Sequence, residues 1–594
     1  MKFSCFPRMQ LWHSDADWSD ERNADRKANH NARWNDDMNT DPKADLNVNR
    51  DANQKNDLNL SRKDDLEDDK KLQRRDCIDQ KKKTRKGTMT LVSVFLFFIF
   101  SALGLSMLYF SQIYLKLSAY KKNSTLLDYA SENGIKLGFD RLLNLLSQAV
   151  SPSLLSLEET NELREDTINK GSEIVEKLLG SRLPLQNSQS WESVGWESIT
   201  NFYYEKIEEK EDYFHAQYKA EISSEGRIKN FKEARASSLE ARLGILAGNL
   251  PLPYIPLLID KKLGPDQKKD FAENNKIDFL PSEKNLVPPQ ISFAEGDLIP
   301  KDANSQVQKA LKIKFFSPQN LSNRRLRAVL GLEETNELVP DGVYLIKDDS
   351  GLGGIYVQGD LEEIVTAIEE NFQVVSFLTE QGCWILKYSP QKSKTIFSTP
   401  EEVLYYDLIP LGIIIVNGKI NSLGGGVMDT SGQAIMVTEE EIPSILNGVN
   451  LTIISSDNIT LSSHLIYQGV KWIDKVPYVK DRNSQLNIFV TGNDFLGGAE
   501  REGKIIIDKD CPQEIKIQAS LTAAGKGFSV EGKGKTVHIL GSLHASDYTS
   551  NENKLKFTFD ERLLEESDLV QNAPRTAKPV LCLSFFKPLE WKEF

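Results

Sequence analysis

The chain has 594 residues, and its 73 Lys and Arg against 86 Asp and Glu give a formal net charge of -13. A single core stops growing near about 250–300 residues, so two or three folded units plus unfolded parts are expected. The acidic balance excludes an extended phosphate-binding surface, and nucleic acid with it. Cys5, Cys77, Cys383, Cys511 and Cys582 lie too far apart for a disulfide scaffold or a zinc spacing. Buried free thiols are expected at the last three, where a single bridge would leave one over.

Residues 1–87 are poor in apolar side chains and recur in Asp, Asn, Lys and Arg without helix or strand period. Such a segment buries too little surface to offset its ordering entropy, so a disordered polar leader is expected. Trp12, Trp18 and Trp34 are unusual in a tract of this kind, and Met38 offers an internal start.

Thr88 to Phe110 carries no charge, and its 23 residues make roughly 34 Å of helix, enough to cross a hydrocarbon layer of about 30 Å. Nine Lys and Arg fall between 70 and 87, against three in the fifteen residues after Phe110. The positive-inside rule then places the N-terminus in the cytoplasm and the larger C-terminal part outside. A cleaved secretory signal has a shorter apolar core ending at small residues, whereas this one ends in "LYFSQIYLK". An ordinary single-pass anchor is the plain alternative.

The basic run ends at Gly87, so a peptidase on the cytoplasmic face would cut between Gly87 and Thr88. Beyond the membrane, Ile113, Leu117, Tyr120, Leu127, Ala130, Ile135, Phe139, Leu142 and Leu146 keep a three-to-four spacing, which predicts a helix over 88–150. Small residues and glycines punctuate "LLDYASENGIKLGFDRLLNLL". These features resemble the N-termini of PilX-type minor pilins and of the large K-type pseudopilin of type II secretion. The resemblance implies removal of the leader by prepilin peptidase, a helix shared between lipid and other pilins or pseudopilins, and a pilin-like α+β region over 151–246. Major pilins carry a glutamate five residues after the cut. Val92 stands there, which implies a minor or tip position.

"DYFHAQYKAEISSEGRIKNF" alternates, with Phe214, Ala216, Tyr218, Ala220 and Ile222 on one face, so a half-buried strand is expected with its turn at Ser223 to Gly226. Prolines thicken from Ala247, predicting a linker or irregular region over 247–330. A new unit is expected from about Gly331, with short strands and a short helix at Leu361 to Glu370. Brief apolar runs separated by Gly, Asn, Asp and Ser then recur towards residue 575. That pattern suggests stacked strands, a parallel β-helix or solenoid-like domain over 331–575, with a β-sandwich as the alternative. "NGKINSLGGG", "LTIISSDNITLSSHLIYQG" and the run Phe557, Phe559, Asp560, Arg562, Leu563 also resemble the C-terminal region of large PilX-type proteins. Residues 576–594 read as a tail.

Six histidines, His13, His30, His215, His464, His538 and His544, form no metal pattern. "GFSVEGKG" from Gly527 has Gly534 where a P-loop needs Ser or Thr, and "GKGKT" has Ser529 in place of its first glycine, so no nucleotide site is expected. Asp457 and Asp508 sit at turns, where backbone capping is their ordinary role; a carbohydrate-active β-helix would use such acids. In the part after the apolar stretch, Asn-x-Ser/Thr occurs at Asn123, Asn320, Asn450 and Asn458. The expectation is therefore an α+β, membrane-anchored protein of the bacterial inner membrane that works by pilus or pseudopilus assembly, without catalysis or cofactor. Its expected partners are membrane lipid, prepilin peptidase and other pilins. A carbohydrate-binding or carbohydrate-active surface protein and a plain anchored adhesin are the alternatives.

Overall fold

The computed structural model describes residues 73–593, excluding 150–151, 171–172, 180–184, 192–193, 230–231, 262, 264, 281–290, 295–296, 314–320, 474–475, 480–482, 497–498, 561 and 566–568, with side chains from Leu91 onward. The expected disordered leader lies outside the described residues up to position 72. From Gln73 the backbone is already helical, so the helix α1, Gln73–Ala149, takes in the basic run as well. The chain divides into two compact units, Met1–Tyr109 and Phe110–Phe594.

In the second unit, α1 packs on a six-stranded antiparallel sheet. Its strands in chain order are β1 (Ser153–Leu154), β2 (Leu185–Trp191), β3 (Val194–Glu209), β4 (Tyr213–Ile228), β5 (Ala234–Gly248) and the C-terminal strand Val580–Glu593. Helices α2 (Leu157–Lys170) and α3 (Glu173–Leu179) complete this core. Alternation on β4 places Phe214, Ala216, Tyr218, Ala220 and Ile222 against the helix, as the sequence predicts. The predicted turn at Ser223 to Gly226 does not form. β4 continues through it, with Ser224 and Gly226 on the same buried face.

The predicted tail is also corrected. Val580–Glu593 lies between β1 and β5, its Leu581, Leu583 and Phe586 buried towards the helix and its Val580 and Cys582 in the neighbouring core. Residues 249–579 are thus inserted between two adjacent strands of one sheet. Gly248, where the chain leaves, is the register partner of Val580, where it returns.

The insertion holds two eleven-stranded sheets over one apolar core. Strands alternate between them: Gly351–Gln358, Ile413–Asn417, Asn450–Ser455, Gln485–Val490, Glu514–Ala523, Thr536–Ala545 and Lys554–Phe559 pair in parallel in one sheet. Glu363–Glu369, Ile420–Met428, Ile459–Leu461, Lys504–Ile507, Gly527–Val530 and Tyr548–Thr549 do so in the other. A run of antiparallel strands from Glu363 to Tyr406 extends the second sheet.

Two further expectations change here. Where a helix over Leu361 to Glu370 is expected, Glu363–Glu369 is strand, because Ile364 faces the main core while Val365 and Ala367 meet Ala434 on the other face, and burial on both faces hides a period of two. The predicted linker 247–330 is part of the β region. Leu257–Ile259 and Ile277–Phe279 pair in parallel with Thr536–Ala545 and Lys554–Phe559, and Val307 and Ala310 of the helix Asn304–Ala310 enter the core.

Candidate functional site

The most exposed apolar surface belongs to α1. Gly87 and Thr88, the proposed cleavage positions, lie within its helical backbone, and Val92 is exposed where a pilin would carry its acid. Phe97 is 70% exposed, Met107 74% and Phe110 68%. Burying one such side chain is worth about 1.5–3 kcal/mol. A row of them left in water is unfavourable, so the segment calls for an apolar surrounding. α1 is long and apolar enough to cross a membrane.

From Leu127 the same helix is covered. Leu127, Ile135, Leu142 and Leu146 are fully buried, and small residues set how close helix and sheet come. Gly134 faces Ser224 and Trp196, Gly138 faces Ile222 and Ser198, and Gly226 lies under Leu127 and Ala130. Ser131 Oγ and Ser237 Oγ meet at 2.9 Å. This is the physical account of the small residues in "YASENGIKLGF". They admit the backbone of β4 to the helix surface, which larger side chains would hold away.

Of the other residues singled out in the sequence, His13 and His30 lie outside the described residues, and those that are described make contacts within the fold. Asp457 Oδ1 accepts from the backbone of Asn458, and Asp508 accepts from the backbone of Asp510 and from Ser462. Lys535, in the P-loop near miss, is buried and donates its Nζ to the carbonyl of Cys511 at 2.6 Å, so it points inward. His544 is fully buried, with Nε2 2.7 Å from the carbonyl of Ile255 and Nδ1 3.1 Å from Thr522 Oγ1. Burial holds its pKa down to about 4. His215, placed on a polar strand face by the sequence, is partly covered by Phe585 and bonds Ser584, and burial again lowers its pKa to about 4. His464 accepts the backbone N–H of Lys516 at Nδ1, and His538 lies between Glu514 and Trp472.

The Phe-Asp-Arg-Leu run is explained as well. Asp560 and Arg562 form a buried ion pair at 2.6 Å, and the guanidinium lies 4.6 Å from the centre of the Tyr467 ring. Their role is to tie residues near 560 to the interior of the stacked strands. Among the described residues, no three His, Cys, Asp or Glu side chains converge as a metal site.

No protein-family model, curated protein or solved structure matches the chain.

Proposed function

We propose that this chain is a single-pass membrane protein of the minor pilin or pseudopilin kind, acting by assembly and interaction rather than catalysis. The observation that carries the reading is the division of α1. Its first part is an uncovered apolar helix behind a basic run. Its second part is packed through glycine and serine onto an antiparallel sheet.

In this reading the helix lies in the inner membrane, with Gln73 towards the cytoplasm and the sheet outside. Prepilin peptidase cuts between Gly87 and Thr88, and the freed helix moves from lipid to the helices of other pilins or pseudopilins. Both surroundings are dry, so the apolar surface is served in either. Val92 supplies no carboxylate for a neighbour's amine, which suits a tip or initiation position. The inserted strands form a β-solenoid, a bulky element better placed at one end of a filament than along its body.

The test is the N-terminus of protein isolated from membranes, by intact mass and peptide sequencing, with and without active prepilin peptidase. A chain beginning at Thr88 only with the active enzyme is expected. An intact N-terminus in both samples would sink the reading.

A further inference from the structure

The C-terminal strand stands apart from the rest of the sheet in its time of arrival. α1 and β1 to β5 are continuous in sequence up to Gly248. Their last partner follows only after about 330 residues of insertion, whose ends must be brought together before that pairing contributes. Until then β5 has one open edge and β1 has no partner, since β1 pairs only with Leu581 and Val580. The helix-facing core is also open, because Leu581, Leu583 and Phe586 come from this strand and Phe586 meets Phe139 of α1 at 5.8 Å.

The backbone neck of the insertion, in contrast, is closed before the strand begins, and of the strand only Val580 and Cys582 reach the insertion's core. Leu252 N–H donates to Pro574 O, Thr576 N–H to Leu250 O, and Leu250 N–H to Thr576 Oγ1, at 2.7–3.0 Å. Arg575 pairs with Asp212 and lies over the Tyr213 ring. This neck holds residues 574–576, while Ala577 and Lys578 are exposed just before the strand. Pro588 and two bulges interrupt its pairing with β5. Such an interrupted strand adds fewer regular backbone bonds than β4 does and depends more on its apolar side chains.

We propose that the slot between β1 and β5 is a separable strand-binding site, filled last by the chain's own segment 579–594. Closure of the helix–sheet unit then reports that the whole insertion has been made and folded. That meaning for assembly rests on the export reading above, in which the N-terminal side emerges first. The slot itself does not depend on it.

The experiment uses the full chain in detergent with a sequence-specific protease site inserted between Lys578 and Pro579, alongside a chain ending at Lys578. After cutting, a labelled synthetic peptide of residues 579–594 is expected to exchange into the slot saturably. In the shortened chain, amide hydrogen exchange in β5 is expected to be at least tenfold faster than in the full chain. The peptide is expected to restore protection, and a peptide carrying Leu583→Asp is not. Equal protection of β5 in the shortened and full chains would overturn the proposal. So would failure of the cut chain to take up peptide under conditions where its own segment leaves. If the shortened chain aggregates, the cut full chain still decides. Neither arm involves peptidase processing, so the proposal and the pilin reading fail on different observations.

Discussion

Gly134 of α1 and Ser224 of β4 are packed so closely that a methyl group added at Gly134 would sit 1.9 Å from Ser224 Oγ and 3.0 Å from the Trp196 ring. A side chain at this crossing would therefore force Ser224 and the Trp196 ring to shift. Overpacking of this kind costs about 1–3 kcal/mol. Gly134→Val is expected to lower stability by that order or more. Gly134→Ala should be partly rescued by Ser224→Gly, which removes the nearest atoms. A double-mutant cycle from denaturant unfolding measures the coupling, and strictly additive effects would contradict the contact.

What the sequence made legible follows from how local its causes are. The alternation of Phe214 to Ile222 needs only the strand's own pleat, and α1 needs only its apolar spacing. Ser223 to Gly226 misled because the same residues that make turns also admit a helix backbone, and the helix is some ninety residues away. The C-terminal strand was hidden twice. Its partner lies across the whole insertion, and bulges between Leu583 and Phe585 and between Pro588 and Glu590 break its period. Leu257–Ile259 and Ile277–Phe279 are three residues each, too short for any period to show. At Gly87 and Thr88 the reading rests on the end of the basic run and on the resemblance of the segment that follows.

The buried Asp560–Arg562 pair gives a second expectation. Both side chains are almost fully covered, so removing Arg562 leaves a buried carboxylate without its ion-pair partner. Breaking a buried pair from one side costs about 3–5 kcal/mol. Arg562→Met should destabilise the β region by that order and also forfeit the contact with Tyr467. Asp560→Asn with Arg562→Met should lose clearly less than the two single changes added. Chemical denaturation followed by Trp fluorescence provides the comparison.

His544 sets a pH dependence with a definite sign. Its folded pKa is about 4 against an ordinary value of 6.5, because burial opposes the imidazolium. Between those values the unfolded chain takes up the proton and the folded chain does not. Stability contributed by the neutral ring is thus complete above about pH 6.5 and falls on acidification towards pH 4, at a slope of at most about 1.4 kcal/mol per pH unit. His215 is lowered to the same region and adds to the slope. Unfolding midpoints measured from pH 7 to pH 4.5 should fall. In His544→Gln the fall should be shallower, and an unchanged slope would remove His544 as a cause.

The cysteines give the last expectation. Cys511 and Cys582 are buried and Cys383 half-buried, all as free thiols, and burial pushes the Cys582 thiol up to about 12. The thiolate is the reactive form, so Cys582 should be inert to alkylation while its strand is in place. Cys582 sits in the strand that closes the helix–sheet unit, with Leu246 of β5 as its register partner. Its labelling rate therefore reads opening of that strand, and Cys383 serves as a more accessible internal reference. Among these three, maleimide labelling of the native chain followed by peptide mass analysis should modify Cys383 first and Cys582 only under unfolding conditions. Destabilising the strand with Phe586→Ala should speed Cys582 labelling while leaving Cys511, in the inserted β region, at its native rate. Equal acceleration at both sites would show that strand and insertion open together.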